Sequence, residues 1–165
     1  MNEGGDNIKR IEDELKMPSF VNDFQKAYLN LIFTANWFTC VMQKELKRFD
    51  ITNSQYNVLR ILRGQKGRPM NAFAIQERMI YPNSNVTRIL DKLVEKELVH
   101  RQHCENNRRM IDVSISEKGL EVLAQSEQLS LDTFEKMREA LSEQEARQLN
   151  DMLDRLRMQA YGATP

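Results

Sequence analysis

Ile111, Val113 and Ile115 alternate with Asp112 and Ser114, in a chain whose other apolar residues recur at helical spacing. Alternation with period two is the mark of a strand with one buried face. Leu98 to His103 is the partner strand available to it, and Glu105-Asn106-Asn107 supplies the turn. One hairpin inside a helical chain narrows the fold to a mainly α architecture with a small β-hairpin.

The helical segments are set by their caps and apolar lines. Residues 1–18 have few apolar positions, and Pro18 stops a helix arriving there, so a frayed N-terminal arm is expected. From Ser19, Phe24, Tyr28, Leu31, Ala35, Phe38, Met42 and Phe49 recur at three-, four- and seven-residue steps, and a second line runs through Leu29, Phe33 and Trp37. A helix apolar on more than one side packs against its own domain and against something else. Residues 19–51 are therefore expected to form one long helix of this kind; the resemblance given below makes it the N-terminal dimerisation helix.

Thr52-Asn53-Ser54-Gln55 reads as a capping box for a second helix with Tyr56, Leu59, Ile61 and Leu62 inside. Asn71 caps a short third helix bearing Ala74, Ile75 and Met79. Pro82 suits the first position of a fourth, whose buried side is Val86, Ile89, Leu90, Leu93 and Val94. After the hairpin, Ser116 caps a fifth helix, and Ser142 with Glu145 starts a sixth. Residues 117–160 are the expected C-terminal dimerisation helices.

Charge divides along the same lines. Residues 52–116 hold 11 Lys+Arg against 6 Asp+Glu, a net of +5, whereas residues 1–51 (7 against 8) and 117–165 (6 against 10) are net −1 and −4. A basic middle between acidic flanks suits a phosphate-contacting module in a chain of zero net charge.

Helix, short helix, helix and hairpin, in that order over residues 52–116, make a winged helix-turn-helix. A helix fits the major groove of duplex DNA and presents its first turns to base edges. The fourth helix has an aliphatic buried side and Asn83, Ser84, Asn85, Thr87 and Arg88 crowding its N-terminal half. Asn pairs with adenine, Arg with guanine or phosphate, and Ser or Thr with either. Arg108 and Arg109 at the hairpin suit a narrow minor groove.

The segments Thr52-x-x-Gln55-Tyr56-x-Val58-Leu59, Asn85-Val86-Thr87-Arg88-Ile89-Leu90-Asp91-Lys92-Leu93, Glu97-Leu98-Val99 and Asn107 to Ser116 resemble the DNA-binding module of the MarR family of bacterial regulators. The likeness extends over roughly residues 20–160 by helical order and apolar spacing. It implies a homodimer joined by its N- and C-terminal helices, a palindromic operator, and a repressor released by a small aromatic or apolar effector. Carried over by position, Ser84, Thr87 and Arg88 become groove or phosphate contacts and Arg109 the wing contact. Asn107 stands where the family has an aspartate, which weakens the bond available to the wing arginine. In this family effectors bind between dimerisation helices and winged module, which points to Phe33, Trp37, Met42 and Tyr56.

Other chemistry is poorly supplied. The polar N-terminus lacks the apolar core of a signal peptide, and Leu29 to Met42 is too short and too interrupted to span a membrane. With two cysteines and no disulfide framework, a bacterial cytoplasmic protein, nucleoid-associated when bound, is expected. Cys40, among Phe38, Val41 and Met42, reads as an inert buried thiol, and Cys104, near Arg101 and His103, as the more reactive one. His100 and His103 fall on opposite faces of a strand, so no metal site is expected, and no cofactor. Neither a phosphate-cradling loop nor a nucleophile motif points to an enzyme. The competing reading is a dimeric winged-helix protein-interaction module without DNA binding; the Asn, Ser, Thr and Arg side chains of the fourth helix argue against it.

Overall fold

The computed structural model describes residues 9–104 and 107–161. It divides into two compact units, Met1–Asn53 and Ser54–Pro165. The second unit takes in both the winged module and the C-terminal helices.

The first unit is built on α2 (Asp23–Leu46), followed by a 3-10 turn at Lys47–Phe49. The helix begins later than Ser19, because Asn22 caps it: its side chain accepts from the Gln25 amide at 2.9 Å, and the Gln25 side chain accepts from the Val21 amide at 2.8 Å. Ahead of it, the expected frayed arm contains a helix, α1 (Ile11–Leu15). Ile11 is buried, the Asp13 carboxylate accepts from the Arg10 amide at 3.2 Å, and Lys26 of α2 donates to Glu12 at 2.5 Å. The Lys26 ammonium holds the Glu12 carboxyl below its ordinary range. This order comes from α2, so the local sequence of residues 1–18 could not show it. Along α2 the aromatic line is largely uncovered within the chain: Phe24 is 87% exposed and Tyr28 63%.

The second unit opens with α3 (Asn53–Gly64) and α4 (Ala72–Gln76), then α5 (Val86–Glu95). Leu59, Leu62, Ile75, Leu90 and Leu93 are buried; filling a core with such side chains contributes about 1.5–3 kcal/mol each. As expected, Asn71 caps α4, accepting from Ala74 at 2.8 Å. Pro82 lies in a turn rather than in α5, because Asn85 takes the cap, accepting from the Arg88 amide at 3.0 Å.

The sheet has three antiparallel strands in the order β1-β3-β2, with β1 at Met70–Asn71, β2 at Val99–Cys104 and β3 at Asn107–Ile115. β1 was not foreseen: two residues carry no periodicity, and its pairing of Met70 with Val113 is long-range. β3 is longer than the alternation of Ile111 to Ile115 announced. It starts at Asn107, while Glu105 and Asn106 of the expected turn lie outside the described residues. Val99 pairs with Ile115 and Arg101 with Val113, and a register irregularity falls between His103 and Cys104.

α6 (Glu117–Ala140) and α7 (Glu143–Tyr161) complete the unit. Ser116 accepts from the Gly119 amide at 3.0 Å, as the cap reading required. Gly119 is needed for a second reason. A Cβ there would stand 2.2 Å from the Leu98 carbonyl oxygen and 2.8 Å from Ile115 Cγ1. At Ser142 the amide and hydroxyl both donate to Glu145, at 2.8 and 2.7 Å, and the Glu145 amide returns to Ser142 Oγ at 3.3 Å. No described helix is long and apolar enough to cross a membrane.

Two outcomes follow for this unit. Gly119→Ala gains about 1 kcal/mol of helix propensity, but the oxygen it meets is backbone and cannot turn aside. Overpacking of this kind costs about 1–3 kcal/mol or more, so the urea midpoint should fall. The Ser142 donors lower the Glu145 carboxyl below its ordinary value. Because the folded value is the depressed one, the stabilisation is complete above the unfolded carboxylate pKa and fades as pH drops through the folded one. An NMR titration should show Glu145 moving up toward the ordinary Glu value in Ser142→Ala.

Candidate nucleic-acid interface

α5 is held from one side only. Val86, Leu90 and Leu93 are buried, and Asn83, Asn85, Thr87 and Arg88 are exposed, with Ser84 half-buried. Apolar residues at helical spacing on one face leave the other face for polar chemistry. Asn83, Ser84 and Asn85 lie in the turn ahead of the helix, and only Thr87 and Arg88 lie in its first turn. Asn85 Oδ1 is engaged as the cap, so a two-bond pairing with adenine would cost the helix its cap; its Nδ2 remains to donate.

The charges of α5 are sorted. Asp91 accepts from Arg101 of β2 at 2.6 Å, and Lys92 donates to Glu95 at 2.7 Å. Arg88 is left with no side-chain partner among the described residues. The helix therefore shows a free cation and free amides at its N-terminus, which is the end that favours an anion.

The turn before α5 is tied down from outside. Asn57, buried on α3, accepts from the Ile80 amide at 2.9 Å. Gln76, closing α4, donates to the Pro82 carbonyl at 2.5 Å. Neither residue stands out in the sequence, because each acts on backbone across a turn. The hairpin is tied to α5 as well. Val99 and Val113 face the core, and Arg101, two residues from Val99 and so on the same face, reaches Asp91. Arg108 and Arg109 begin β3, and their side chains lie outside the described residues, as does that of Cys104.

The residues expected around an effector are distributed over both units. Phe33, Trp37 and Met42 stand on α2, and Tyr56 on α3. Phe33 and Met42 are half-buried, Trp37 is 51% exposed and meets Phe38 edge-on at 5.1 Å, and Tyr56 is buried with the Arg60 guanidinium 5.8 Å from its ring. An open groove of about 750 Å³ runs instead along α7, lined by Gln148, Met152, Arg155 and Met158 among others. Cys40 is exposed rather than buried, because the α2 face that carries it is not covered within the chain.

A short helix, a turn, a second helix with a polar N-terminal half, and an antiparallel hairpin tied to it define a winged helix-turn-helix protein. Residues 51–111 match the model of the MarR family. The HTH-type transcriptional regulator MhqR of Bacillus subtilis (strain 168) is 26% identical over 119 residues, covering 72% of this chain and 81% of the relative. A crystal structure of a MarR transcription factor from Planctomyces limnophilus is similar with a TM-score of 0.62 at 27% identity, over 82% of this chain and 98% of that one. A mutant MarR from E. coli complexed with operator DNA shares the fold with a TM-score of 0.69 at 22% identity, over 84% and 99%. The likeness to the MarR family thus covers residues 51–111, and the relatives and structures that the chain resembles are described as HTH-type transcriptional regulators and MarR transcription factors.

Proposed function

We propose that this chain is a MarR-family transcription regulator that binds duplex DNA sequence-specifically, as a homodimer on a palindromic operator, and acts as a repressor. The observation that carries the reading is the sorting of α5: its acids are paired, its aliphatic side is buried, and Thr87 and Arg88 stand free at its first turn. In this reading α5 enters the major groove. Arg88 and Thr87 contact bases or phosphate, with Asn83, Ser84 and Asn85 beside them, and the wing carries Arg108 and Arg109 into the adjacent minor groove. The operator complex of the E. coli relative supports the mode of docking. The homodimer is supported by the uncovered apolar residues Phe24 and Tyr28 on α2, and Leu131, Phe134 and Leu156 on α6 and α7.

Selection of bound duplexes from a random pool, repeated across salt concentrations, tests this. A palindrome with half-sites about one helical turn apart should be enriched. Arg88→Ala should lose discrimination at its base position, worth about 1–3 kcal/mol, whereas Arg109→Ala should weaken all sequences and lower the salt slope by about one. Failure to enrich any palindrome overturns the reading in favour of a protein-interaction module.

We further propose that a small aromatic or apolar effector, engaging Phe33, Trp37 and Met42 of α2, releases the DNA. Such release requires different effector affinity in the free and DNA-bound states. Trp37 is the one tryptophan of the chain, so its emission reports binding directly. Effector addition should change it in step with operator release, and release with no change at Trp37 would move the site elsewhere.

A further inference from the structure

Between α4 and α5 the chain carries Asn83, Ser84 and Asn85, and no regular secondary structure holds them. Within the segment, the Ser84 amide donates to the Tyr81 carbonyl at 3.1 Å, which closes a turn but does not fix it to the module. Two side chains from outside do. Asn57 Oδ1 accepts from the Ile80 amide at 2.9 Å, and Gln76 Nε2 donates to the Pro82 carbonyl at 2.5 Å. These ties fall on either side of Tyr81 and immediately ahead of the polar residues.

The two anchors differ in kind. Asn57 is buried on α3 beside Val58 and Leu59, which are fully covered, so its amide plane is held by the core. Gln76 ends α4, and so the segment is tied to both helices that precede it. Without Asn57 the Ile80 amide loses its acceptor, and the turn must find another arrangement. Base-edge hydrogen bonds demand placement to within about half an ångström, whereas attraction to phosphate falls off slowly with distance. Loosening this turn therefore harms base reading before it harms phosphate binding.

We propose that Asn57 and Gln76 are positioning residues that set where residues 83–88 meet the bases, and so govern sequence discrimination. The inference rests on the DNA-recognition reading above and adds residues that the interface itself does not contain.

The test uses the full-length protein, a palindromic duplex selected by the wild type, and a random duplex of equal length, titrated across salt. Asn57→Ala should weaken binding to the selected duplex by roughly tenfold or more, and the random duplex by less than about twofold, with an unchanged salt slope. Asn57→Asp, which keeps an acceptor for Ile80, should recover most of the loss. Gln76→Ala removes a bond nearer the surface and should shift the ratio the same way, which keeps the inference open to refutation should Asn57→Ala fail to fold. Equal loss on both duplexes, or no loss in either variant, overturns it. A wild type unable to tell the two duplexes apart is a distinct outcome: it overturns the recognition reading, and this inference falls with it.

Discussion

The peptide groups of Glu97 and Leu98 are where the winged module is held together. Glu97 takes a positive φ of 60°, turning the chain out of α5, and the Leu98 amide closes the helix on the Leu93 carbonyl at 2.9 Å. Ser116 Oγ donates to the Glu97 carbonyl at 2.7 Å, and the Ser116 amide to the Leu98 carbonyl at 3.1 Å. Lys118 adds an ion pair to Glu97 at 3.0 Å, exposed and so of small energetic consequence. Gly119 lets the first turn of α6 rest on the Leu98 oxygen itself. The end of α5, the start of β2 and the start of α6 meet at one corner. Carbonyls with assigned donors cannot slide past one another without leaving a group unpaired, so these bonds couple the end of α5, the start of β2 and the start of α6.

That rigidity gives the sorted charges their meaning. On an isolated helix Asp91 would oppose a phosphate as readily as Arg88 would attract it. With β2 fixed at the same corner, Arg101 is delivered to Asp91 and the acid is neutralised locally. Arg88, nearer the helix N-terminus, is left to act. With no net charge overall, the chain depends on such placement for its positive potential.

What the sequence disclosed and what it concealed divide by the range of the interaction. The caps at Asn71 and Ser116, the Ser142–Glu145 box, the apolar line of α5 and the strand at Ile111 to Ile115 are local signals, and the structure has each element, although of that strand's expected buried face Val113 is buried and Ile111 is 41% exposed. α1 depends on Lys26 meeting Glu12, and β1 on the pairing of Met70 with Val113; neither has a local pattern. α5 starts after Pro82, because proline permits a first helical position but does not demand it. Asn85 supplies the demand, by bonding the Arg88 amide. The apolar neighbours of Cys40 suggest a buried thiol, but on α2 apolar side chains face outward too, and Cys40 is exposed. For the candidate interface, residue types were legible at Thr87 and Arg88, while the residues that aim them, Asn57, Gln76 and Arg101, act through side-chain bonds across turns that no periodicity records.

In the proposed dimer, the same corner determines how a distant event could reach DNA. Leu131 and Phe134 on α6, half-exposed in the single chain, lie on the helix whose first turn is clasped to α5 and β2. A change in how two such helices pack displaces each α6 as a rod, since its hydrogen bonds are internal. Under the proposed function, the bonds at this corner and the close approach at Gly119 would carry such a displacement to α5. If α5 is the recognition helix, two copies moved in this way would no longer match half-sites one helical turn apart. Regulation then needs no unfolding of the reading head, only a difference in effector affinity between two spacings of the same rigid module.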